Sequence, residues 1–458
     1  MGSAAMAGRR SMDLCTGPFW KKIWLYTIPI ILTGLLQLLF NAADMVVVGR
    51  FAGQEALGAV GATGALINLM VNLFMGLSVG AGVAVAQGIG ARDDKAVHRA
   101  VHTAIPAAVI GGVFLTVMGI VLSPFFLELM GTPEDVIDLS ALYMRIYFAG
   151  IIPVLLYNFG ASILRAAGDT RGPLIYLAIS GVLNVVLNLV FVIAFHMSVA
   201  GVALATVLSQ VLSCTLVLLA LARRPDGCKL ELRRLKIYPA SLGKIVRIGL
   251  PAGIQGSLFS ISNVLIQSSI NSFGTVVLSG NTAAGNIEGF VYVGMNSFHQ
   301  TAMNFMGQNM GARKYENFGK IMRICLLSVG GVGILLGGTC YLFARPLLSI
   351  YLTNEAAAIG YGVTRMSYIC VIYFLCGLMD VMSGVLRGMG CSLSPMVVTV
   401  LGVCGFRLAW IYTIFHMEEF HTLEVLYLSY PISWVVTFAA LLCVYFVVRW
   451  RYATKKAA

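Results

Sequence analysis

Gln87-Gly88-Ile89-Gly90-Ala91-Arg92 returns later in the chain as Gln308-Asn309-Met310-Gly311-Ala312-Arg313, a shift of 221 residues. Three further markers keep the same order and nearly the same shift. Ile28-Pro29 pairs with Leu250-Pro251, Leu164-Arg165-Ala166-Ala167-Gly168 with Leu386-Arg387-Gly388-Met389-Gly390, and Pro173 with Pro395. Four ordered matches at a constant offset mark a duplicated unit. The 458 residues are 59% hydrophobic and 11% charged, against about 25% charged in a soluble domain. Long apolar runs recur from end to end, so the repeated unit is a bundle of membrane helices. Fifty glycines suit helices that pack backbone to backbone in lipid.

Twelve spans are expected, at about 23–48, 57–86, 100–122, 138–162, 173–195, 198–222, 246–273, 280–306, 319–343, 360–385, 395–416 and 424–448. Each is long enough for ~30 Å of hydrocarbon with some tilt. The fold class that follows is an all-α, polytopic membrane protein, with twelve transmembrane helices in two six-helix lobes. An even number of spans per half gives both halves one orientation, so a pseudo-two-fold axis runs along the membrane normal. The expected organisation is a tail over 1–22, a first lobe over 23–222, a loop over 223–245, a second lobe over 246–448 and a tail over 449–458. The loop's length suits two bundles that rock against each other.

The net charge of +12 does not indicate nucleic acid, because of where it lies. With the N-terminus inside, 26 of the 31 basic residues fall in inner segments, from Arg9, Arg10, Lys21 and Lys22 to Arg449, Arg451, Lys455 and Lys456. The loop alone carries Arg223, Arg224, Lys229, Arg233, Arg234, Lys236, Lys244 and Arg247. Outer loops carry Glu55, Glu128, Glu134, Asp135, Asp138, Glu355, Glu418, Glu419 and Glu424. This asymmetry predicts both termini on the cytoplasmic side of the membrane. No cleavable leader is expected, since Lys21 and Lys22 precede a run too long for one and no small-residue cleavage site follows. The ten cysteines are scattered singly, so neither disulfides nor a metal framework is expected.

Against this apolar background, ionisable residues inside spans mark candidate chemistry. Asp44 lies in the first span with no basic residue nearer than Arg50. A carboxylate at such depth costs roughly 2.5–3.5 kcal/mol on insertion scales and persists where it handles an ion or a proton. Asn184 and Asn188 are four apart and share one helix face. Counted at about 1.5 Å per residue, Asp44, Asn188 and Thr206 reach similar depth. A carboxylate, two amides and a hydroxyl make an oxygen-rich site for Na⁺, or a cradle for a protonated Asp; the alternative is an interhelical polar clamp. In the second half, Glu288 and Asp380 are candidates for a second cation or a cationic substrate. Arg407 is a candidate to neutralise one of them, and Arg387 to pair with Asp380. The repeat sets Asp44 opposite Leu265 or Ile266, Asp380 opposite Asn158, and Glu288 near Leu66 and Ile67, so the halves share a plan and differ in charge.

Two motifs are set aside. Gly76-Leu77-Ser78-Val79-Gly80 has the spacing of a nucleophile elbow, but it sits in an apolar helix and reads as a packing face. His98 and His102 lie on one face without the Glu of a zinc helix. Catalysis is therefore not expected.

The ordered set resembles the multidrug and toxic compound extrusion (MATE) transporters over roughly 20–450. The resemblance rests on the Ile-Pro opening span 1, Asn41-Ala42-Ala43-Asp44 followed by Gly49, and Gln-x-x-Gly-Ala-Arg after spans 2 and 8. Leu-Arg-(Ala/Gly)-x-Gly after spans 4 and 10 and Ala200-Gly201-Val202-Ala203-Leu204-Ala205-Thr206 in span 6 complete it. It implies a two-lobe, V-shaped bundle with a central cavity, and export of organic cations and amphipathic toxic compounds driven by inward H⁺ or Na⁺. In members that use a first-lobe site, its residues carry over to Asp44, Asn184, Asn188 and Thr206. Many relatives have Asp, often followed by Pro, where this chain has Asn188-Leu189. The expectation is a monomeric antiporter in a lipid bilayer, taking small organic substrates, with no cofactor, no nucleic acid and no metal beyond Na⁺. The alternative is a flippase for lipid-linked oligosaccharides or lipids, which shares the two-lobe plan but calls for several basic residues lining its cavity.

Overall fold

The computed structural model describes residues 12–129, 132, 134–352 and 355–457, which are helical almost throughout, with no strand among them. Arg9, Arg10 and the rest of the tail before Met12 lie outside the described residues, as does Ala458. In the first half the helices are α1 (Phe19–Val47), α2 (Gln54–Gly90), α3 (Asp94–Leu129), α4 (Glu134–Ala149), α5 (Ile151–Ala166), α6 (Arg171–Leu189) and α7 (Ser198–Ala222). In the second they are α8 (Pro239–Asn271), α9 (Thr275–Gly311), α10 (Phe318–Leu342), α11 (Ala344–Tyr351), α12 (Ala356–Ile369), α13 (Phe374–Gly388), α14 (Leu393–Thr399), α15 (Phe406–Tyr412) and α16 (Leu423–Ala457). Among the described residues, eight helices are long and apolar enough to cross a membrane. The bent pairs α4–α5 and α12–α13 bring the number to ten. The remaining two of the twelve spans are α8 and α9, which Ser, Asn and Gln residues make less apolar.

The repeated sequence is a repeated helix stop. After α2, Arg92 N–H bonds to Ile89 O and Asp93 N–H to Gly88 O. After α9, Arg313 N–H bonds to Met310 O and Lys314 N–H to Asn309 O. This is the Schellman arrangement, which satisfies the last carbonyls of a helix. Its pivot is left-handed, and Arg92 and Arg313 both adopt φ 55° there. Leu164–Gly168 and Leu386–Gly390 form a second such pair, with Gly168 and Gly390 at φ 85° and 88°. The duplication extends to a bend in the fourth span of each half. Val136–Ala149 meets Ile151–Ala166 at 50°, and Ala356–Ile369 meets Phe374–Gly388 at 49°. In the first, Pro153 offers no N–H to the carbonyl of Ala149. In the second, no proline is present, and the Cys370 carbonyl packs where a Cβ on Gly337 of α10 would lie 2.1 Å away.

The chain divides into two compact units, and two of their three borders fall inside helices. Unit 1 comprises Ile28–Ser257 and the segment ending at Leu14; unit 2 comprises Cys15–Thr27 and everything from Leu258. In unit 1 the opening of α8 lies against α2. A Cβ on Gly76 would be 2.1 Å from Gly253 N, and one on Gly80 would be 2.2 Å from Ile245 O. In unit 2 the opening of α1 lies on α9. Trp24 and Tyr26 meet Phe298 and Phe305 edge to face, and Thr27 Oγ1 is 2.8 Å from Thr301 Oγ1. Pro29 and Pro251 sit inside these two helices, each close to the residue where its helix leaves one unit. Each proline deprives the carbonyl four residues earlier, Leu25 and Arg247, of its helical donor.

The loop after α7 is not slack. Leu230 N–H bonds to Leu221 O, Glu231 N–H to His102 Nε2 and Tyr238 N–H to Thr103 Oγ1. Cys228 and Leu230 are buried. Burial opposes the charge of Asp226, but its hydrogen bonds from Arg224 outweigh this and hold the carboxyl below the usual range. The stretch is fastened to α3 within unit 1.

Gly76 therefore has a packing duty that Gly338 of α10, with nothing within 4 Å of its Cβ position, does not have. Gly76→Ala should lower the thermal unfolding temperature in detergent, at about 1–3 kcal/mol for overpacking. Gly338→Ala should leave it unchanged or raise it, by up to ~1 kcal/mol.

Candidate functional site

In unit 1, Asp44, Asn188, Asn184 and Thr206 form one hydrogen-bonded chain across three helices. Asn188 Nδ2 donates to Asp44 Oδ1 and, at 3.3 Å, to Asn184 Oδ1. Asn184 Nδ2 donates to Thr206 Oγ1 at 3.5 Å, and Thr206 donates to Val202 O at 3.0 Å. The i, i+4 spacing on α6 lets one amide face α1 and the other face α7. Both asparagines are buried, and Asn188 Oδ1 has no hydrogen-bond donor among the described residues. A buried acceptor without a donor costs about 1–3 kcal/mol, a cost that a proton on the neighbouring carboxyl or a hard cation would remove. Asp44 and Asn188 each sit just before a π-helical turn, at Val48–Ala52 after α1 and at Val190–Ala194 after α6. Such turns interrupt helix pitch and concentrate at functional sites. Tyr143 of α4, itself buried, is close enough to Asp44 to interact with its charge. The sequence reading passed over it because its partner is on another helix.

In unit 2 the two candidate carboxylates have different surroundings. Glu288 on α9 receives a two-pronged ion pair from Arg365 on α12, with Nε–Oε1 at 2.8 Å and Nη2–Oε2 at 2.7 Å. Arg365 Nη1 also donates to Asn281 Oδ1 at 2.6 Å, and Tyr427 OH donates to that same oxygen at 3.3 Å. The guanidinium lies 5.8 Å and 5.9 Å from the ring centres of Tyr427 and Tyr430. The charge of Glu288 is thus matched by Arg365, a residue the sequence reading missed although it lies inside the expected span 360–385. Arg407, the neutraliser expected from sequence, reaches neither carboxylate. Its Nε donates to Ser433 Oγ at 3.0 Å and its guanidinium lies 4.0 Å from the Tyr430 ring centre.

Asp380 on α13 is buried beside Tyr292, which hydrogen bonds to it, and Arg387, which interacts through charge. His299 Nδ1 donates to the Asp380 backbone carbonyl at 2.7 Å. Asp380 Oδ2 has no hydrogen bond among the described residues. Glu288 and Asp380 therefore stand in separate polar clusters. Ser78 donates back to Met75 O within α2. His102 accepts from the Glu231 amide and bonds through Nδ1 to His98 O, so the pair holds the loop after α7.

The family model described as MatE matches residues 29–190 and again 251–413, once in each half. The chain is 27% identical over 429 residues to the probable multidrug resistance protein YoeA of Bacillus subtilis (strain 168), covering 91% of each. It is 26% identical over 399 residues to the probable multidrug resistance protein NorM of Thermotoga maritima, covering 85% of this chain and 84% of that one. The solved structure of a multidrug resistance MATE family transporter of the MOP superfamily, in an outward-facing conformation, superposes with a TM-score of 0.87 at 23% identity. That superposition covers 98% of this chain and all of the other.

The Glu288–Arg365 pair yields a stability test. Arg365→Met leaves a buried carboxylate unmatched and should cost about 3–5 kcal/mol, whereas adding Glu288→Met should recover most of the loss. Thermal unfolding of the two variants in detergent decides it; equal losses would show that the pair does not govern stability.

Proposed function

The chain belongs to the MatE family of transporters, and from that premise we propose that it is a cation-coupled antiporter that exports organic cations and other amphipathic toxic compounds. In this reading it sits in the plasma membrane as a monomer with both termini inside, as the basic inner segments support. The observation that carries the reading is the chain Asp44–Asn188–Asn184–Thr206 with its donorless Asn188 Oδ1. The names of the relatives support drugs as the exported class.

The coupling ion is H⁺ or Na⁺, and the donor set suits either. A proton on the Asp44 carboxyl turns it into a donor and relieves the buried oxygen. Na⁺, a hard cation, takes oxygen ligands, and Asp44, Asn188, Asn184 and Thr206 can each offer one. Filling the site from outside rearranges the hydrogen bonds that join α1, α6 and α7. The π-helical turns beside Asp44 and Asn188 let α1 and α6 change pitch locally, and that change favours substrate release. Emptying the site to the inside resets it for the next substrate. The membrane potential contributes ~2.3 kcal/mol per charge per 100 mV to inward cation movement.

The flippase alternative gains nothing from unit 2, where Arg365, Arg387 and Arg407 are engaged by Glu288, Asp380, Ser433 and Tyr430. In this reading Glu288, paired with Arg365, is not part of the ion site.

Efflux of a fluorescent organic cation from cells, with the Na⁺ and H⁺ gradients collapsed separately, tests the proposal. Efflux should depend on one gradient and fall to background in Asp44→Asn. Thr206→Val should weaken it roughly fivefold, as for one hydrogen bond of about 1 kcal/mol. Undiminished, gradient-dependent efflux in Asp44→Asn would refute the first-unit mechanism.

A further inference from the structure

At the basic end of unit 1, a cleft of about 300 Å³ opens between the end of α2, the start of α3 and the start of α8. Its lining includes Gly88, Arg99, Tyr238, Ser241 and Lys244. The walls are fixed by bonds already described: Tyr238 N–H to Thr103 Oγ1, and Glu231 N–H to His102 Nε2. Gly88 keeps the floor tight, since a Cβ there would lie 2.8 Å from Val97 Cγ2. The Arg99 guanidinium lies 5.8 Å from the Tyr238 ring centre, and the Lys236 ammonium 6.0 Å from it.

The cleft has an excess of positive charge. Among the described residues, Arg99, Lys236 and Lys244 make no ion pair, and of the nearby carboxylates Asp94 makes none either, so the basic groups outnumber the acids left unpaired. Glu231 pairs with Arg234 and Lys229, Asp226 pairs with Arg224, and Asp93 caps α3 through Ala96 N–H. Two unpaired cations facing one cavity, with the opening turn of α8 as the remaining wall, call for an anion.

Farther along α3, exposed Val109, Ile110, Val113 and Phe114 continue the helix as an apolar face. The cleft therefore sits where a basic end gives way to lipid-facing helix. We propose that it binds the phosphodiester headgroup of an anionic phospholipid, with Arg99 and Lys244 as the phosphate contacts and the acyl chains along the apolar face of α3. Free phosphate shares the headgroup chemistry and lacks the chains.

Native mass spectrometry of the full-length protein, titrated with phosphatidylglycerol, phosphatidylcholine or inorganic phosphate, tests this. Phosphatidylglycerol should be retained in preference to phosphatidylcholine. Arg99→Gln with Lys244→Gln should weaken its apparent Kd at least tenfold, while Arg99→Lys with Lys244→Arg should keep it. Lys320→Gln with Arg323→Gln, at the start of α10 in unit 2, should leave it unchanged. Equal retention by the Arg99/Lys244 glutamine variant would overturn the proposal, as would no preference between the two lipids. Saturation by inorganic phosphate at the same concentration as the lipid would overturn the lipid assignment. Thermal unfolding in phosphatidylcholine confirms that each variant is folded.

Discussion

A carboxylate carried into a membrane helix must be matched by a proton, a cation or donors from its neighbours. Asp44 meets that constraint through Asn188, and the rest of the site follows from it. Asn188 must come from a helix facing α1, its second hydrogen bond recruits Asn184 one turn away, and Asn184 in turn holds Thr206 on α7. One amide oxygen remains without a donor at the centre of this chain. The three helices are thus joined through side chains whose hydrogen bonding is incomplete. The two π-helical turns beside Asp44 and Asn188 place the least regular backbone where a change of occupancy would be felt.

The duplicated plan was reused with different chemistry in each half. Helix stops match in pairs, Arg92 with Arg313 and Gly168 with Gly390, and so do the bends of 50° and 49°. The interiors diverge. The repeat sets Arg365, which clamps Glu288, opposite Tyr143, which faces the charge of Asp44. It sets Glu288 near Leu66 and Ile67, both in the apolar core of unit 1. Asp380 stands opposite Asn158, which is spent on the Val154 carbonyl within its own helix. Unit 2 holds a carboxylate met by a guanidinium, and unit 1 holds one met by an amide.

Local spacing made much of this legible in the sequence. The repeat, the twelve spans and the shared face of Asn184 and Asn188 are periodic features, and depth counting placed Asp44, Asn188 and Thr206 at one level. What spacing could not supply was the partner across helices. Arg365 stands 77 residues from Glu288, and no periodicity links them. Arg407 looked like the natural neutraliser by depth, yet its side chain turns to Ser433 and Tyr430 on α16. The loop after α7 read as a linker because of its length and its place between the two halves. Its anchoring to His102 and Thr103 depends on which turn of α3 it meets, and that is a tertiary fact.

The central claim is that the state of the Asp44 carboxyl changes in step with substrate binding. Infrared difference spectroscopy of the purified protein, recorded on adding an organic cation, reads that state directly. The account predicts a carboxyl or carboxylate band change that disappears in Asp44→Asn and persists in Asp380→Asn. A band change that survives in Asp44→Asn and vanishes in Asp380→Asn would contradict it and move the coupling site to unit 2.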